Sequence, residues 1–319
     1  MSRLLITGVH GFVGSNLVAA LKGDNTIYGL DIVAPEKDGV KKTYSWEDLE
    51  NNTIPPVDAI IHLAGKAHDL KNKSASDIYF KINTDLTKKI FNYFTANRDI
   101  HKFIFFSSVK AAVDKVPDDI LTEDVTPCPV GPYGESKVRA EEYILDRLKE
   151  APQLYGDRDV IILRPCMIHG PGNKGNLNLL YGVISKGIPW PLGAFENKRT
   201  FTSIDNLSFV IEKLLSMKVE SGIYNMADDE ALSTNELIDV MCKAMGKKSH
   251  IWNLPKGMIR FGARTGDVLH LPLNTFRLDK LTENYIVSNE KIKRALNIES
   301  MPVNARDGLT ETIRSFQNQ

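Results

Sequence analysis

Tyr133 and Lys137 are the two residues of this 319-residue chain whose types and spacing most directly suggest chemistry. Residues i and i+4 share one face of a helix, so a helix here would place the phenol beside the ammonium. Pro132, immediately before the tyrosine, is typical of a helix start. A neighbouring lysine stabilises the phenolate and lowers the pKa of the phenol, which makes it usable as a general acid and base near neutral pH. Solvated helix pairs without function share this spacing, so its meaning depends on the surrounding elements.

A glycine-rich turn near the N-terminus provides that context. A short apolar run over residues 3–7 leads into the glycines, and apolar residues then recur at helical spacing. Glycines in a strand–turn–helix unit permit a tight turn and let the backbone approach a pyrophosphate, whose charge the helix N-terminus stabilises. The sequence therefore predicts a dinucleotide site that includes Gly8, Gly11, Phe12, Val13 and Gly14.

Asp31 ends the next predicted strand, over residues 26–31. A carboxylate at this position can bind the two ribose hydroxyls and disfavours a 2′-phosphate, which predicts NAD rather than NADP. Lys37, Lys41 and Lys42 follow closely and could bind an extra phosphate if the loop folds back, so NADP stays an alternative.

Strands and helices alternate along the rest of the first half. Residues 34–56 are predicted to form a long polar loop, and residues 57–65 a strand that ends in small side chains. A helix over about 78–96 precedes a buried strand over 101–106, and 160–163 forms another strand. The alternation predicts an α/β fold, a doubly wound Rossmann-type parallel sheet. The small residues leave room for a ligand at the carboxyl edge of that sheet.

Composition excludes several classes of protein. Forty basic and forty acidic residues cancel, which argues against a role on nucleic acid or on a membrane surface driven by overall charge. No apolar run is long enough to span a bilayer. Three scattered cysteines fit a reducing cytoplasm, and the histidines show no spacing typical of a metal site. We therefore expect a cytoplasmic protein that binds no nucleic acid, membrane or metal.

In their order and spacing, the motifs of this chain resemble the extended short-chain dehydrogenase/reductases, more narrowly the NAD-dependent epimerase/dehydratase branch that acts on nucleotide sugars. The motifs are the glycine turn, Asp31, residues 62–65, Asn83, the serine pair Ser107–Ser108 and residues 133–137. The resemblance covers nearly the whole chain. It implies that Tyr133 exchanges the proton of a sugar hydroxyl, while Lys137 binds the nicotinamide ribose and holds the phenolate. Further cofactor contacts implied by the resemblance are Leu63, Ala64, Gly65, Asn83, Ser107 and Pro165, in addition to Tyr133 and Lys137 themselves.

Val109 departs from the family pattern, in which a further hydroxyl or thiol follows the serine pair and hydrogen-bonds the reacting oxygen. Either Ser108 supplies that bond, as a third catalytic residue, or the tyrosine acts alone. Family dehydratases carry an acid pair just after this hydroxyl, whereas this chain has Lys110 and Ala111. Dehydration is therefore disfavoured.

Two reactions then remain for a UDP-linked hexose or N-acetylhexosamine. One is C4 epimerisation through a transient 4-keto sugar, and the other is NAD(P)H-dependent reduction of a 4-keto-6-deoxy sugar. A third hypothesis, a dinucleotide sensor without chemistry, predicts loss of the tyrosine–lysine pair, which is present.

The resemblance also implies how substrate is bound. Asn176 and Arg199 resemble residues that contact the nucleotide diphosphate, a task that suits the guanidinium fork. Residues 1–165 and about 200–230 would form the NAD-binding domain. Residues of about 166–199 and 231–319 would form a smaller α+β substrate lobe. By analogy we expect a homodimer that pairs through two long helices, one of which bears Tyr133.

Overall fold

A seven-stranded parallel sheet forms the centre of the computed structural model, which describes residues 1–66, 75–173, 175–269 and 274–317. Its strand order is β3-β2-β1-β4-β5-β6-β9. A separate pair of parallel strands, β7 and β8, lies outside it. The strands are β1 (Ser2–Thr7), β2 (Asn25–Leu30), β3 (Val40–Tyr44), β4 (Ala59–His62), β5 (Lys102–Phe106), β6 (Asp159–Pro165), β7 (Met167–His169), β8 (Phe201–Ser203) and β9 (Gly222–Met226).

Helices cover both faces of the sheet, as the alternation of strands and helices predicted. The helices are α1 (Phe12–Leu21), α2 (Trp46–Glu50), α3 (Ser76–Tyr79), α4 (Leu86–Ala96), α5 (Val109–Ala112), α6 (Gly131–Glu150), α7 (Asn176–Ile184), α8 (Ile204–Ser216), α9 (Thr234–Ala244), α10 (Lys256–Leu269), α11 (Thr275–Thr282), α12 (Glu290–Leu296) and α13 (Ala305–Gln317). A π-helical segment, Phe80–Asp85, joins α3 to α4, and a short 3₁₀ turn, Pro152–Leu154, follows α6.

Two apolar layers follow from the side-chain alternation of the strands. Leu4 and Ile6 of β1 face one layer, which α1, α8 and α12 complete. Leu5 faces the other layer, which α2, α4 and α6 complete. Because both faces are covered, the central strands are apolar throughout, as in parallel sheets generally. The predicted Rossmann-type α/β class is confirmed.

The later elements build further packing units. Apolar residues of α7, α9 and α13 pack together with β8. A smaller cluster joins α10 and α11 to Leu192 and Phe195. The division into a domain of residues 1–165 plus about 200–230 and a lobe of about 166–199 plus 231–319 stays a prediction.

The expectation of a structureless loop over 34–56 is wrong. This stretch contains the edge strand β3 and the helix α2, whose N-terminus is closed by a capping box between Ser45 and Asp48. Val40–Tyr44 carries two adjacent lysines and is buried mainly at its last residue. An edge strand of this kind lacks the apolar signature of the central strands.

In the part of the chain that the structure describes, no helix is both long and apolar enough to cross a bilayer.

A buried ion pair lies at the amino-terminal edge of the sheet. Lys102 Nζ lies 3.0 Å from Asp159 Oδ2, and the same ammonium donates to the carbonyls of Leu214 and Met217 at the end of α8. The pair thus connects β5 and β6 to the helix that covers them.

We expect Lys102→Met to lower the free energy of unfolding by about 3–5 kcal/mol, because it leaves a buried carboxylate without its counter-ion. Urea denaturation measures this. Lys218→Met is the matched control: its partner Asp157 lies 3.7 Å away and both side chains are exposed, so we expect a loss of about 0–1 kcal/mol. Equal losses in the two variants would contradict the assignment.

Candidate active site

The glycine turn after β1 approaches the neighbouring strand so closely that side chains are excluded. Gly8 has φ +68°, and a Cβ there would lie 2.9 Å from the amide nitrogen of Ala64. A Cβ on Gly14 would lie 2.4 Å from the carbonyl oxygen of Gly8. Both positions therefore require glycine, the first for backbone conformation and contact and the second for contact alone.

The N-terminus of α1 faces the space that this turn creates. Gly11 precedes the helix, and Phe12 and Val13 form its first positions. Among the described residues no side chain caps this terminus, and the first turn carries no acid. Free amides and a glycine turn form the kind of cradle that accepts a pyrophosphate, so the residues present fit a dinucleotide.

Asp31 follows β2 and lies beside the same turn. One of its carboxylate oxygens accepts from the amide of His10 at 3.1 Å, and the other from the amide of Ile32 at 2.7 Å. These bonds hold the carboxylate at the carboxyl edge of the sheet, where the sequence predicts the adenosine ribose.

The three lysines after Asp31 have other contacts. Lys37 Nζ donates to Ser15 Oγ at 2.7 Å. The ammonium groups of Lys41 and Lys42 lie over tyrosine rings, 5.8 and 4.4 Å from the centroids. Lys37 is therefore the one of the three that contacts α1.

A chain of buried hydrogen bonds connects the glycine-turn strand to the segment that bears Asn83. Thr7 Oγ1 accepts from the amides of residues 63 and 64, so its own proton goes to His62 Nδ1 at 2.7 Å. Burial holds the pKa of His62 well below its ordinary value, so the ring is neutral and carries its proton on Nε2. Nε2 donates to Thr87 Oγ1 at 2.9 Å, and Thr87 donates to the carbonyl of Asn83 at 2.6 Å.

Asn83 ties this chain to the catalytic helix. It lies in the π-helical segment, a helix form that occurs often at functional sites. Its side-chain Nδ2 donates to Ser136 Oγ at 2.9 Å, and its side-chain Oδ1 accepts from the main-chain amide of Lys66 at 2.7 Å. Thr84 donates to the carbonyl of Ser136 at 2.8 Å. The first turns of α6 are thus fixed to the segment after β4.

Tyr133 and Lys137 lie on α6 as the spacing predicted. Lys137 is buried and its Nζ donates to the carbonyl of Phe106 at 2.8 Å, at the end of β5. Tyr133 hydrogen-bonds with the side chain of Ser108, just beyond the same strand. A Cβ on Gly65 would lie 3.2 Å from Lys137 Nζ, so the strand end of β4 also borders the pair.

Burial pushes both groups toward their neutral forms. It raises the pKa of the Tyr133 phenol, and the hydrogen bond from Ser108 offsets part of that rise. Burial lowers the pKa of Lys137 to about 8, although the negative charge of Glu141 acts to raise it. The expectation that the lysine lowers the pKa of the phenol below its ordinary value is therefore wrong for this structure. Desolvation of the phenolate outweighs the effect of an ammonium that binds a carbonyl.

The serine pair divides its contacts between the two sides of the strand end. Ser107 donates to Glu141, whereas Ser108 bonds with Tyr133 and also caps α5 by accepting from the amide of Lys110 at 3.2 Å. Val109 is buried as the first residue of α5. A catalytic role for Ser108 in place of the missing hydroxyl stays a prediction.

The remaining predicted site residues lie after β6. Pro165 ends that strand in register with Met226 of β9. Asn176 is exposed at the first position of α7, beside Gly175.

Arg199 has contacts of its own with α11. It donates to the carbonyls of Lys280 and Glu283 and lies 3.4 Å from the Glu283 carboxylate. A diphosphate role for Asn176 and Arg199 stays a prediction.

Several residues of the site were missed by sequence reasoning. The ring of Tyr79 meets that of Tyr133 edge-on at 6.4 Å, and Thr7 and Thr87 flank the buried histidine. Glu141 lies behind the pair. A signal existed for two of them: Glu141 and Thr87 lie one helical turn after Lys137 and Asn83, respectively.

A Rossmann-type sheet, a glycine cradle with Asp31 at its rim and a tyrosine–lysine pair are the elements of a dinucleotide-binding enzyme. Comparison with known proteins makes the family explicit. Residues 4–227 match the NAD dependent epimerase/dehydratase family, and the chain belongs to it. The predictions of the family, of an enzyme and of NAD as cofactor are confirmed.

Three proteins similar to this chain are named as 4-epimerases. The chain is 30% identical over 269 residues to a UDP-glucose 4-epimerase of Vibrio cholerae, covering 79% of this chain and 78% of that protein. It is 27% identical to an N-acetyl-alpha-D-glucosaminyl-diphospho-ditrans,octacis-undecaprenol 4-epimerase of Escherichia coli O157:H7, covering 92% and 85%. The solved UDP-N-acetylglucosamine 4-epimerase of Bacillus cereus superposes with a TM-score of 0.76 at 21% identity over all of both chains.

We expect Gly14→Ala to weaken NAD binding at least about tenfold, because the new methyl group would displace the turn from the pyrophosphate position. Isothermal titration with NAD measures the dissociation constant. Gly23→Ala is the control, since no described atom lies within 4 Å of a Cβ built there. An unchanged NAD affinity in Gly14→Ala would contradict the placement of the cofactor.

Proposed function

We propose that this protein is a nucleotide-sugar 4-epimerase that acts on a UDP-hexose or UDP-N-acetylhexosamine. The observation that carries the proposal is the assembly of Tyr133, Ser108 and Lys137 at one strand end, beside the glycine cradle. A phenol, a hydroxyl and an ammonium at this place can manage one proton and one alkoxide while a hydride is transferred. The relatives named above as 4-epimerases support this reaction.

The cofactor would be held by the glycine turn, the α1 N-terminus, Asp31 and the Asn83 region. When bound there, NAD would supply the acceptor and donor of the hydride that leaves and returns to the sugar carbon. The protein's part is to hold the reacting groups in place and to move the proton.

Tyr133 would remove the proton of the C4 hydroxyl and later return it. Ser108 supports this step because its hydrogen bond stabilises the phenolate. Lys137 contributes a positive charge to the same space, which favours the phenolate while the proton is away. Between the two transfers the 4-keto sugar must turn over so that its other face receives the hydride.

Asn176 and Arg199 would contact the diphosphate of the substrate. Asn176 is exposed at a helix N-terminus, where anions are stabilised. Arg199 would need to exchange part of its contacts with α11 for phosphate oxygens, which its planar fork suits.

Reduction of a 4-keto sugar with NAD(P)H is the second candidate. A GDP-6-deoxy-D-mannose reductase of Pseudomonas aeruginosa is 25% identical over 254 residues, which favours keeping it. Both reactions would use Tyr133 and Lys137. Cofactor released from heat-denatured protein separates them: about one NAD per chain favours the epimerase, and protein without nucleotide favours the reductase.

Dehydration is disfavoured by the groups behind the serine pair. Lys110 stands where family dehydratases carry an acid, and its ammonium binds Asp114 at 3.2 Å and lies over the ring of Tyr285. Neither Lys110 nor the buried Ala111 can abstract a proton as a carboxylate would.

Assembly and location complete the proposal. We place the dimer contact on α4 and α6, which pack side by side on one face of the sheet. The three free cysteines agree with a cytoplasmic enzyme.

We expect Tyr133→Phe to lower kcat by about 100- to 10,000-fold while leaving NAD affinity intact, because only the proton-transferring oxygen is lost. A coupled assay of UDP-galactose or UDP-N-acetylgalactosamine conversion measures kcat. Tyr143→Phe is the matched control on the same helix, since its hydroxyl bonds to Asn92 at the surface. Unchanged turnover in Tyr133→Phe would refute the assignment.

We expect kcat/KM to fall as the pH rises through about 8. The pKa of Lys137 lies there, so the ammonium that favours the phenolate is present below this pH and is lost above it. Because burial raises the pKa of Tyr133, the phenolate that accepts the C4 proton is a minor form at neutral pH and depends on that ammonium. A pH–rate profile between 6 and 10 provides the test, and a flat profile would contradict the role of Lys137.

A further inference from the structure

Glu141 is the third member of a line of polar side chains on α6. It follows Lys137 by four residues as Lys137 follows Tyr133, so all three share one helical face. Its side chain is 1% exposed. A carboxylate this deeply buried is costly unless it is paired, so its contacts need an explanation.

Two neighbouring strands supply those contacts. Arg164 of β6 donates from Nε to one carboxylate oxygen at 2.9 Å and from Nη2 to the other at 2.6 Å. Ser107, just after β5, donates its hydroxyl to the same carboxylate. A serine hydroxyl has one proton to donate, so this bond fixes the direction of the Ser107 side chain.

Ser107 is the middle of three residues that hold the catalytic pair. The carbonyl of Phe106 before it accepts from Lys137, and the side chain of Ser108 after it bonds with Tyr133. The amide of Ser107 donates to the carbonyl of Leu163 at 2.8 Å, as the ladder between β5 and β6 requires. The bond to Glu141 is thus a third side-chain contact between α6 and this strand end.

Stability alone does not explain a charged pair at this place. Replacing a buried ion pair by apolar residues of similar size is often neutral or stabilising. Lys137 and Tyr133 lie on the same helix as Glu141, whereas Phe106 and Ser108 lie on the strand end, and the carboxylate joins the two.

We propose that Glu141 is a positioning residue for the proton transfer, acting through Ser107 on the strand end and through its charge on Lys137. The inference rests on the proposed roles of Tyr133 and Lys137. Glu141 contacts Ser107 and Arg164 and would act on the reacting groups through other residues.

The charged and titratable groups around Lys137 make its electrostatic part testable. Tyr133 and Glu141 face it from its own helix and His62 from β4, while Arg164 on β6 pairs with Glu141. His62 is neutral, and the charge of Glu141 favours the ammonium. Loss of that charge therefore moves the alkaline limb of kcat/KM to lower pH, which a purely structural role would not do.

The decisive variant is the double substitution Glu141→Leu with Arg164→Met, which removes the pair without leaving an unpaired buried charge. We expect a folded enzyme with NAD affinity within about threefold of wild type and kcat lower by about 10- to 100-fold, as for a misplaced catalytic group. Because the charge of Glu141 acts on Lys137 more strongly than that of Arg164, the alkaline limb of its pH profile still moves below that of wild type. Wild-type kcat together with an unmoved limb overturns the proposal.

Ser107→Ala tests the same link while keeping the ion pair, and it decides the matter if the double variant does not fold. We expect kcat to fall by about tenfold with an unmoved alkaline limb, because the charge of Glu141 remains. Combined with the double variant it adds little further loss, since both remove one contact. Unchanged kcat in Ser107→Ala overturns the positioning route.

Two further measurements separate this inference from the proposed function. Glu142→Gln, at the exposed neighbouring position, is the matched control and leaves kcat and the pH profile unchanged. If Tyr133→Phe retains full turnover, the proposed function fails. If Tyr133→Phe is inactive while the Glu141 and Ser107 variants are wild-type, only this inference fails.

Discussion

The attachment of α6 to the π-helical segment is the constraint on which the site depends. Asn83 and Thr84 both bond to Ser136, and Ser136 lies between the two catalytic candidates. Without this attachment, the first turns of α6 would depend on the contacts of Lys137 and Tyr133 with the end of β5 to hold them to the sheet. The extra residue in a π-turn changes which side chains face α6, which is a physical reason for an otherwise unfavourable helix form at this point.

A single edge of the sheet gathers everything the chemistry needs. Parallel strands end at the same edge, so the glycine turn after β1, Asp31 after β2, Gly65 after β4 and Ser108 after β5 come together although they are far apart in sequence. Contact between Gly8 and Ala64 brings two of these ends within van der Waals distance. The buried chain through His62 then couples that contact to Asn83.

Burial sets the electrostatics of the site. It disfavours both the phenolate of Tyr133 and the ammonium of Lys137 when each is considered alone. Either charge lowers the cost of the other, so a proton can leave the phenol only while the ammonium is retained. Glu141 and Arg164 bring equal and opposite charges behind the pair, which keeps this balance without adding net charge to the buried region.

The sequence by itself determined the local features of this protein. Strand–glycine–helix order, the period of the apolar residues and the spacing of Tyr133 and Lys137 are properties of adjacent residues, and they were enough for the fold class and the family. Strand β3 was not predicted, because the sequence of an exposed, lysine-bearing edge strand resembles that of a polar loop.

Only the tertiary structure decided the contacts between distant segments. Ser108 beside Tyr133, Glu141 between Ser107 and Arg164, and Arg199 against α11 all join elements far apart in the chain. The tertiary structure also decided that the pKa of Tyr133 is raised. Desolvation depends on every element that packs around the ring and not on the lysine four residues away.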